Sequence, residues 1–365
     1  MESLAPDAVV PRLRGRFGRP YRYVAATPST QQLLEDESPE GAVAVADHQT
    51  EGRGRLGRRW EAPPATSLLV SILLRPPAPP TRLPELSIVA AEAVAETIEA
   101  VTGLEATVKH PNDVLVGGRK VAGVLGEARE GTVVLGIGIN VNVPKGALPR
   151  DTRLPATSML AETGRSIDRG QLLVAVLNAL ERRYRSWTWN LPGATALAVI
   201  VPEAEALVGA FRRKYTPSGG DAVPAHVTLL APFAPSSRLA ATDEQAVREI
   251  VATTPRFEFA LVSVGRFERA LYLAPEPSEP FAAVTEALVA RFPDYPLYGG
   301  AHDDIVPHLT VAEGESGPLF DRLTEQLLPK LPVHAAAAEA RLLERGESGR
   351  FATRAVVPFG PAAQP

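Results

Sequence analysis

Four arginines and three glycines fall within nine residues, GRGRLGRRW, from Gly52 to Trp60. Guanidinium forks bind phosphate oxygens in pairs, and glycines let a backbone come close to a ligand, so the string reads as a phosphate-handling loop. Its composition alone fits a solvated basic loop equally well. The string also contains GxGxxG, but a dinucleotide loop must open a helix, and here Trp60 and EAPPATS follow instead.

Further along come KHPNDV (Lys109 to Val114), GGRKVAGVLGE (Gly117 to Glu127) and GIGINVN (Gly136 to Asn142). Arginine outnumbers lysine 33 to 5, so two lysines, Lys109 and Lys120, falling in neighbouring motifs is informative. A second constellation lies much later: His226 and Thr228 in HVTLLAPF, and His308 and Thr310 in HLTVAEG. On a strand, residues i and i+2 share a face, so each motif presents an imidazole beside a hydroxyl. One such histidine is usually structural, but two in matching surroundings suggest paired proton transfer. His302, Asp303 and Asp304 are consecutive, a spacing that puts no three metal ligands on one face; they read as a solvated turn, and no metal site is expected.

These groups need positioning elements. Between Tyr21 and Tyr184, short β-rich runs alternate with amphipathic stretches, the pattern of a mixed α/β layer fold. Strands are expected at 42–46, 67–74, 107–109, 121–127 and 132–143. A core-facing helix is expected from Leu86 to Val101, ended by Gly103, and another over Asp168 to Trp187 with Ser166 as N-cap. TWNLPGA, 188–194, breaks that second helix, so the seam falls there, separating a domain of 1–190 from one of 195–365. The second begins with the strand 196–201, and its PAHVTLL and VPHLTVA segments read as two copies of one element in a duplicated α/β domain.

The chain has 365 residues, no cysteine and a formal net charge of −4. Disulfides, thiolate metal sites and a cysteine nucleophile are excluded, and no global field favours DNA or an anionic membrane. No segment has signal-peptide or membrane-span length, which leads us to expect a cytoplasmic protein.

Taken in order, the first set of motifs resembles the biotin protein ligases, whose signatures are a Ser-Thr-Asn element, a GRGRxGRxW loop, KWPND, a lysine before a glycine-bearing strand, and a GIN strand. The first element here reads Ser29, Thr30, Gln31. The resemblance covers about the first 190 residues and implies that biotin and ATP are substrates, that Mg²⁺ accompanies ATP, and that a biotin carboxyl carrier protein accepts the biotin. It further implies that Ser29, Thr30 and Gln49 hydrogen-bond the biotin head, that Arg53, Gly54 and Arg55 close over the ligand, and that Lys120 lies against the reacting carboxylate and phosphate. Gln31, Gly52, Arg58, Trp60, Gly123 and Asn140 complete the implied binding set. Adenylation brings two anions together, so fixed cations lower its barrier, and Asn112 and Asp113 are the oxygen ligands expected on the Mg-ATP side.

His110 stands where that family has Trp, and Gln31 where it has Asn. Neither the family's C-terminal β-barrel cap nor a winged helix before Tyr21 is read, so ATP or carrier binding is expected to suffer and no DNA role is expected. Lipoate ligases, which share the fold, are a distant competitor. The second constellation resembles the two-histidine phosphoesterases, the superfamily of bacterial 2′-5′ RNA ligases and cyclic nucleotide phosphodiesterases. That implies a metal-independent reaction on an RNA or nucleotide cyclic phosphate, with His226 and His308 moving protons and Thr228 and Thr310 holding phosphate oxygens; which histidine is acid and which base stays open. Two other readings remain: only the second domain is active, or the chain is a non-catalytic biotin-binding protein.

Overall fold

The computed structural model describes residues 4–129, 131–150, 152–216, 223–297, 304–314 and 317–362. His302 and Asp303 of the expected turn lie outside them. The chain divides into two compact units, Met1–Thr188 and Trp189–Pro365, each with its own apolar core.

Unit 1 opens with a single helical turn, α1 (Pro6–Val9), and is built on one seven-stranded sheet. Its strands are β1 (Tyr21–Thr27), β2 (Val43–Gln49), β3 (Ser67–Leu74), β4 (Ala106–Lys109), β5 (Asp113–Val116), β6 (Arg119–Arg129) and β7 (Thr132–Asn140), in the order β1-β2-β3-β7-β6-β5-β4. β1 and β2 run parallel and every other neighbour pair is antiparallel. β3 is buried along its whole length, Ser67 and Ser71 included.

Alternation sorts the strand residues. Val43, Val45, Leu68, Val70, Ile72, Ile137 and Ile139 join one core with α2 (Glu85–Thr102) and α4 (Arg169–Trp189). Ala44, Leu73 and Val134 belong to a smaller cluster with Leu34. α2 stops at Gly103, whose φ of +73° gives the left-handed cap that glycine adopts without strain. A short helix, α3 (Met159–Thr163), follows β7 and is capped by Ser158. The cap of α4 is Asp168 rather than the expected Ser166: the Asp168 carbonyl takes the first helical bond, from Leu172 N–H, and its carboxylate takes Gln171 N–H at 2.8 Å.

Unit 2 has two four-stranded antiparallel sheets. In chain order its elements are β8 (Thr195–Ile200), α5 (Pro202–Tyr215), β9 (His226–Leu230), α6 (Ala241–Ala252), β10 (Phe257–Phe267), β11 (Ala270–Glu276), α7 (Glu279–Arg291), β12 (Leu309–Glu313), α8 (Gly317–Leu327), β13 (Val333–Ala337), β14 (Glu339–Arg345) and β15 (Phe351–Pro358). The sheets are ordered β15-β14-β8-β9 and β12-β11-β10-β13. The two His-x-Thr motifs thus sit at equivalent elements, the edge strands β9, which His226 opens, and β12, which His308 immediately precedes, and these two strands pack against each other.

Candidate active sites

In unit 1 a cleft lies over the sheet face opposite α2 and α4. GIGIN on β7 shows how it is built: Ile137 and Ile139 point into the core, while Gly136 and Gly138 face the cleft. A Cβ on Gly138 would sit 2.6 Å from Trp60 Cε2, and one on Gly123 of β6 would sit 3.2 Å from Trp60 Cζ3. The missing side chains are what let the indole lie flat on the sheet. Trp60 Nε1 is buried there without a hydrogen-bond partner, a donor left for a ligand.

The arginine loop closes as a short hairpin. Trp60 N–H donates to Gly52 O (2.9 Å), Gly54 N–H to Arg58 O (2.7 Å), and Arg53 pairs with Arg59. Its tip is a 3₁₀ turn, Arg55–Gly57, with Gly57 at φ +72°. Gly52 is pinned by close approach, since a Cβ would meet Trp60 O at 2.3 Å. Arg53 and Arg55 reach the cleft, where Arg53 lies 3.5 Å from Glu127 and Arg55 donates to Asn112 Oδ1 at 3.3 Å. Arg58 is exposed and does not line it.

Lys120 reaches the cleft through a strand irregularity. Strict alternation would place it with Ala122 and Val124 on the core face. The pairing of β5 with β6 passes from Val114↔Ala122 to Leu115↔Lys120, leaving out Val121. That bulge turns Lys120 onto the face of Gly123, whose added Cβ would lie 3.0 Å from Lys120 Nζ. The ammonium sits 2.6 Å from Asp113 Oδ1 and 5.6 Å from the Trp60 ring centroid, a cation–π approach.

Asp113 is buried, and Arg153 stands 3.6 Å from its other oxygen. Asn112 donates to Val124 O (2.8 Å) and accepts from Arg55. Both side chains are engaged with the protein, Asp113 with Lys120 and Arg153, and Asn112 with Val124 and Arg55. Among the described residues, no cluster of three His, Asp or Glu suits a metal ion.

At the other end of the cleft, Gln49 Oε1 accepts from Thr30 N–H (2.8 Å) and Thr30 Oγ1 (3.0 Å), and Thr30 Oγ1 lies 2.7 Å from Ser71 Oγ. Ser29, Thr30 and Gln49 line the cleft together. Gln31 lines it too, but its amide donates to Leu125 O (3.3 Å) and Val134 O (3.4 Å), closing the floor. Asn140 lies off the cleft and donates to Thr157 O at 3.0 Å, tying β7 to the segment before α3. His110 is exposed, so it does not replace the packing of an indole. Sequence reasoning missed the cleft-facing Gly136, Gly138 and Leu125; the Gly/Ile alternation of GIGIN carried the signal for the first two.

In unit 2 the duplicated strands place their imidazoles alike. His226 Nδ1 lies 2.7 Å from Pro224 O, and His308 Nδ1 lies 2.7 Å from Val306 O, in each case the carbonyl two residues back. Only an N–H can approach a carbonyl so closely, so both rings carry a proton on Nδ1. Thr228 and Thr310 are half-buried at i+2 on the same strands. Phe267 and Tyr272 pack beside His308, with ring centroids 5.0 and 5.2 Å away. Burial, the Arg212 guanidinium and His308 together push His226 down to about 4, against the lesser opposing effect of the Pro224 carbonyl.

The comparisons with known proteins divide as the units do. The sequence model of the biotin/lipoate A/B protein ligase family matches residues 23–143, and that of the 2′-5′ RNA ligase superfamily matches residues 200–349. The biotin--[acetyl-CoA-carboxylase] ligase of Mycobacterium tuberculosis is 35% identical over 209 residues, 55% of this chain and 76% of that protein. The bifunctional ligase/repressor BirA of Bacillus spizizenii is 38% identical over 170 residues, 45% of this chain and 52% of that protein. A solved biotin protein ligase from Aquifex aeolicus in complex with biotin and ATP is 32% identical, with a TM-score of 0.42 over 48% of this chain and 81% of that one. The chain spans about half the length of the BirA relatives it matches.

Proposed function

The chain belongs to the biotin protein ligase family through its first unit, and from that membership we propose that unit 1 activates biotin with ATP to biotinyl-5′-AMP and passes the biotinyl group to a lysine of a biotin carboxyl carrier protein. A biotin carboxylate oxygen attacks the α-phosphorus and pyrophosphate leaves; the carrier amine then attacks the acyl carbon and AMP leaves. The observation that carries the reading is the convergence of Lys120, Arg53 and Arg55 on one cleft floored by Trp60. Simple biotin binding needs no such cations, whereas two anions meeting in a transition state do.

In this reading Ser29, Thr30 and Gln49 hold the ureido head, and the thioether ring lies on Trp60. Lys120, aimed by Asp113, neutralises the carboxylate and α-phosphate. Arg53 and Arg55 close the hairpin over the adenylate. Magnesium arrives as the counter-ion of ATP, and the reaction belongs in the cytoplasm; among the described residues no helix is long and apolar enough to cross a membrane. Incubating the chain with biotin and α-labelled ATP, with and without a carrier domain, tests the reading. Labelled adenylate that is consumed only when carrier is present supports it; no adenylate at all refutes it.

Unit 2 supports a second reading, carried by the matched Nδ1 anchoring of His226 and His308, each to the carbonyl two residues back. It is a metal-independent phosphoesterase acting on an RNA or nucleotide 2′,3′-cyclic phosphate, with Thr228 and Thr310 donating to the non-bridging oxygens. One imidazole takes a proton from attacking water and the other protonates the departing ribose oxygen. Turnover of a cyclic-phosphate panel in EDTA that is lost in His226→Ala and in His308→Ala supports this. Turnover that needs a divalent metal, or that survives both substitutions, refutes it. EDTA-resistant turnover without any biotinyl-adenylate would leave unit 2 as the active part of the chain.

A further inference from the structure

The duplication in unit 2 lets its two sheets be compared position by position. Counted from the threonine-bearing strands, they run β9-β8-β14-β15 and β12-β11-β10-β13. Their irregularities coincide. The β8 to β9 pairing passes from Ala198↔Thr228 to Leu197↔Leu230, leaving out Leu229, and the β11 to β12 pairing passes from Tyr272↔Thr310 to Leu271↔Ala312, leaving out Val311. The same bulge follows each threonine, so the two copies share one register. Directly paired residues lie on one sheet face, and each threonine therefore heads a row across its sheet. One row reads Thr228, Ala198, Arg341, Val356; the other reads Thr310, Tyr272, Gly265. Val199, Leu342, Leu271 and Leu273, next to them in sequence, belong to the apolar core, so both rows lie on the faces turned away from it.

Equivalent positions hold different chemistry. Tyr272 stands where the first copy has Ala198, and Gly265 where it has Arg341. The Tyr272 ring lies over Gly265, where a Cβ would collide with it, and stacks on Phe267 with centroids 4.5 Å apart and planes 27° from parallel. Covering a strand glycine accounts for Tyr272 alone, not for an arginine at the matching place in the other sheet. Arg341 pairs through Nε with Glu339 at 3.2 Å, and the two side chains are 39% and 41% exposed. An ion pair so exposed contributes little, and a phosphodiester that offers two oxygens to the fork competes well with it. Val356, the β15 partner of Arg341, is 45% exposed. From Thr228 to Val356 the row crosses three strand spacings, about 14 Å, a longer track than a cyclic phosphate group needs.

We propose that Arg341 is a second anion subsite, for the phosphodiester next to the reacting phosphate, and that Tyr272 with Phe267 is an aromatic platform for a nucleobase, so that unit 2 takes the cyclic-phosphate end of an RNA chain in one direction. The terminal base lies on the ring pair, the cyclic phosphate lies at the two threonines, and the phosphate on the 5′ side of the same ribose reaches Arg341. Every base has a π-face, so the platform selects RNA ends with little regard to sequence.

The proposal rests on the phosphoesterase reading of unit 2, and the test separates the two. For the full chain in EDTA, kcat/KM is measured on a 5′-hydroxyl nucleoside 2′,3′-cyclic phosphate and on a short RNA with a 2′,3′-cyclic end. The wild type is expected to favour the RNA about tenfold or more. Arg341→Gln should lose about tenfold more on the RNA than on the nucleoside, and its salt dependence on the RNA should weaken by about one phosphate contact. Tyr272→Leu should raise KM for both substrates about tenfold with a smaller change in kcat, and Tyr272→Phe should restore it. Equal losses on the two substrates in Arg341→Gln overturn the second anion subsite, and a wild-type KM in Tyr272→Leu overturns the platform. If Tyr272→Leu does not fold, an RNA whose terminal nucleotide lacks its base decides, because an unchanged KM for it on the wild type also overturns the platform. If the wild type turns over neither substrate, the phosphoesterase reading fails. Fluorescence anisotropy of a labelled RNA with a 3′-phosphate then still tests Arg341: binding about tenfold weaker in Arg341→Gln supports the subsite, and equal binding overturns it.

Discussion

Replacing Lys120 with alanine removes a cation and leaves a problem behind. Asp113 is 7% exposed, and Lys120 Nζ, 2.6 Å away, is its nearest positive charge; Arg153, at 3.6 Å, remains. Losing one partner of a fully buried pair costs about 3–5 kcal/mol, but here the lysine side chain is 27% exposed and Arg153 persists, so about 1–2 kcal/mol is expected. For a unit of this size that is a fall in Tm of roughly 2–8 °C. The effect on chemistry is separate. Withdrawing a preorganised charge from the carboxylate and α-phosphate should slow adenylation on the order of a hundredfold or more. The double variant Lys120→Ala with Asp113→Asn distinguishes the two, because it removes the stranded carboxylate without restoring the cation. Its Tm should recover while its rate should not. The assays are thermal unfolding and labelled-adenylate formation. Wild-type adenylation by Lys120→Ala, or recovery of rate along with Tm in the double variant, would refute the assignment.

Three further outcomes follow from the same geometry. Gly138→Val should push the Trp60 ring off the sheet, because even a Cβ alone would lie 2.6 Å from Cε2, and biotin should bind at least tenfold more weakly by calorimetry; unchanged affinity would show that the indole is not the floor of the biotin site. The hairpin from Gly52 to Trp60 carries four arginines that repel one another until an anion arrives, so saturating biotin and ATP should slow tryptic cleavage after them, and equal rates with and without ligand would reject the idea. His226 binds its proton less readily folded, near pH 4, than unfolded, near 6.5, so unit 2 should lose about 1–2 kcal/mol as pH falls through that window; denaturant melts of wild type and His226→Gln should converge at low pH, and parallel curves would contradict the buried neutral ring.

The parts of this protein that could be read from sequence are those where one local rule decides. β3 and α2 follow from a largely apolar run and from helical spacing ended by Gly103, and their bounds, Ser67–Leu74 and Glu85–Thr102, lie within a residue or so of that reading. β5 was not read, because Asp113–Val116 is too short to show a period and is defined by its neighbours in the sheet. The α4 cap was misplaced for a related reason: Ser166 and Asp168 are both good caps, and only the backbone bond from Leu172 chooses between them.

The same distinction runs through the sites. Motif spacing pointed to Lys120, but the alternation of β6, taken literally, buries it; only the bulge at Val121 brings it into the cleft. Asp113 stands out in the sequence as an oxygen ligand for the ATP side, and its 2.6 Å pairing with Lys120 depends on that bulge. Arg212 carried no sequence signal, since RRK at the end of an amphipathic helix reads as a solvated basic face. What separates it from Arg213 and Lys214 is the packing of α5 on β12, a contact between residues 98 positions apart. Duplication supplied two equivalent histidines, and equivalence is a poor starting point for acid–base work, in which one group must be charged while the other is neutral.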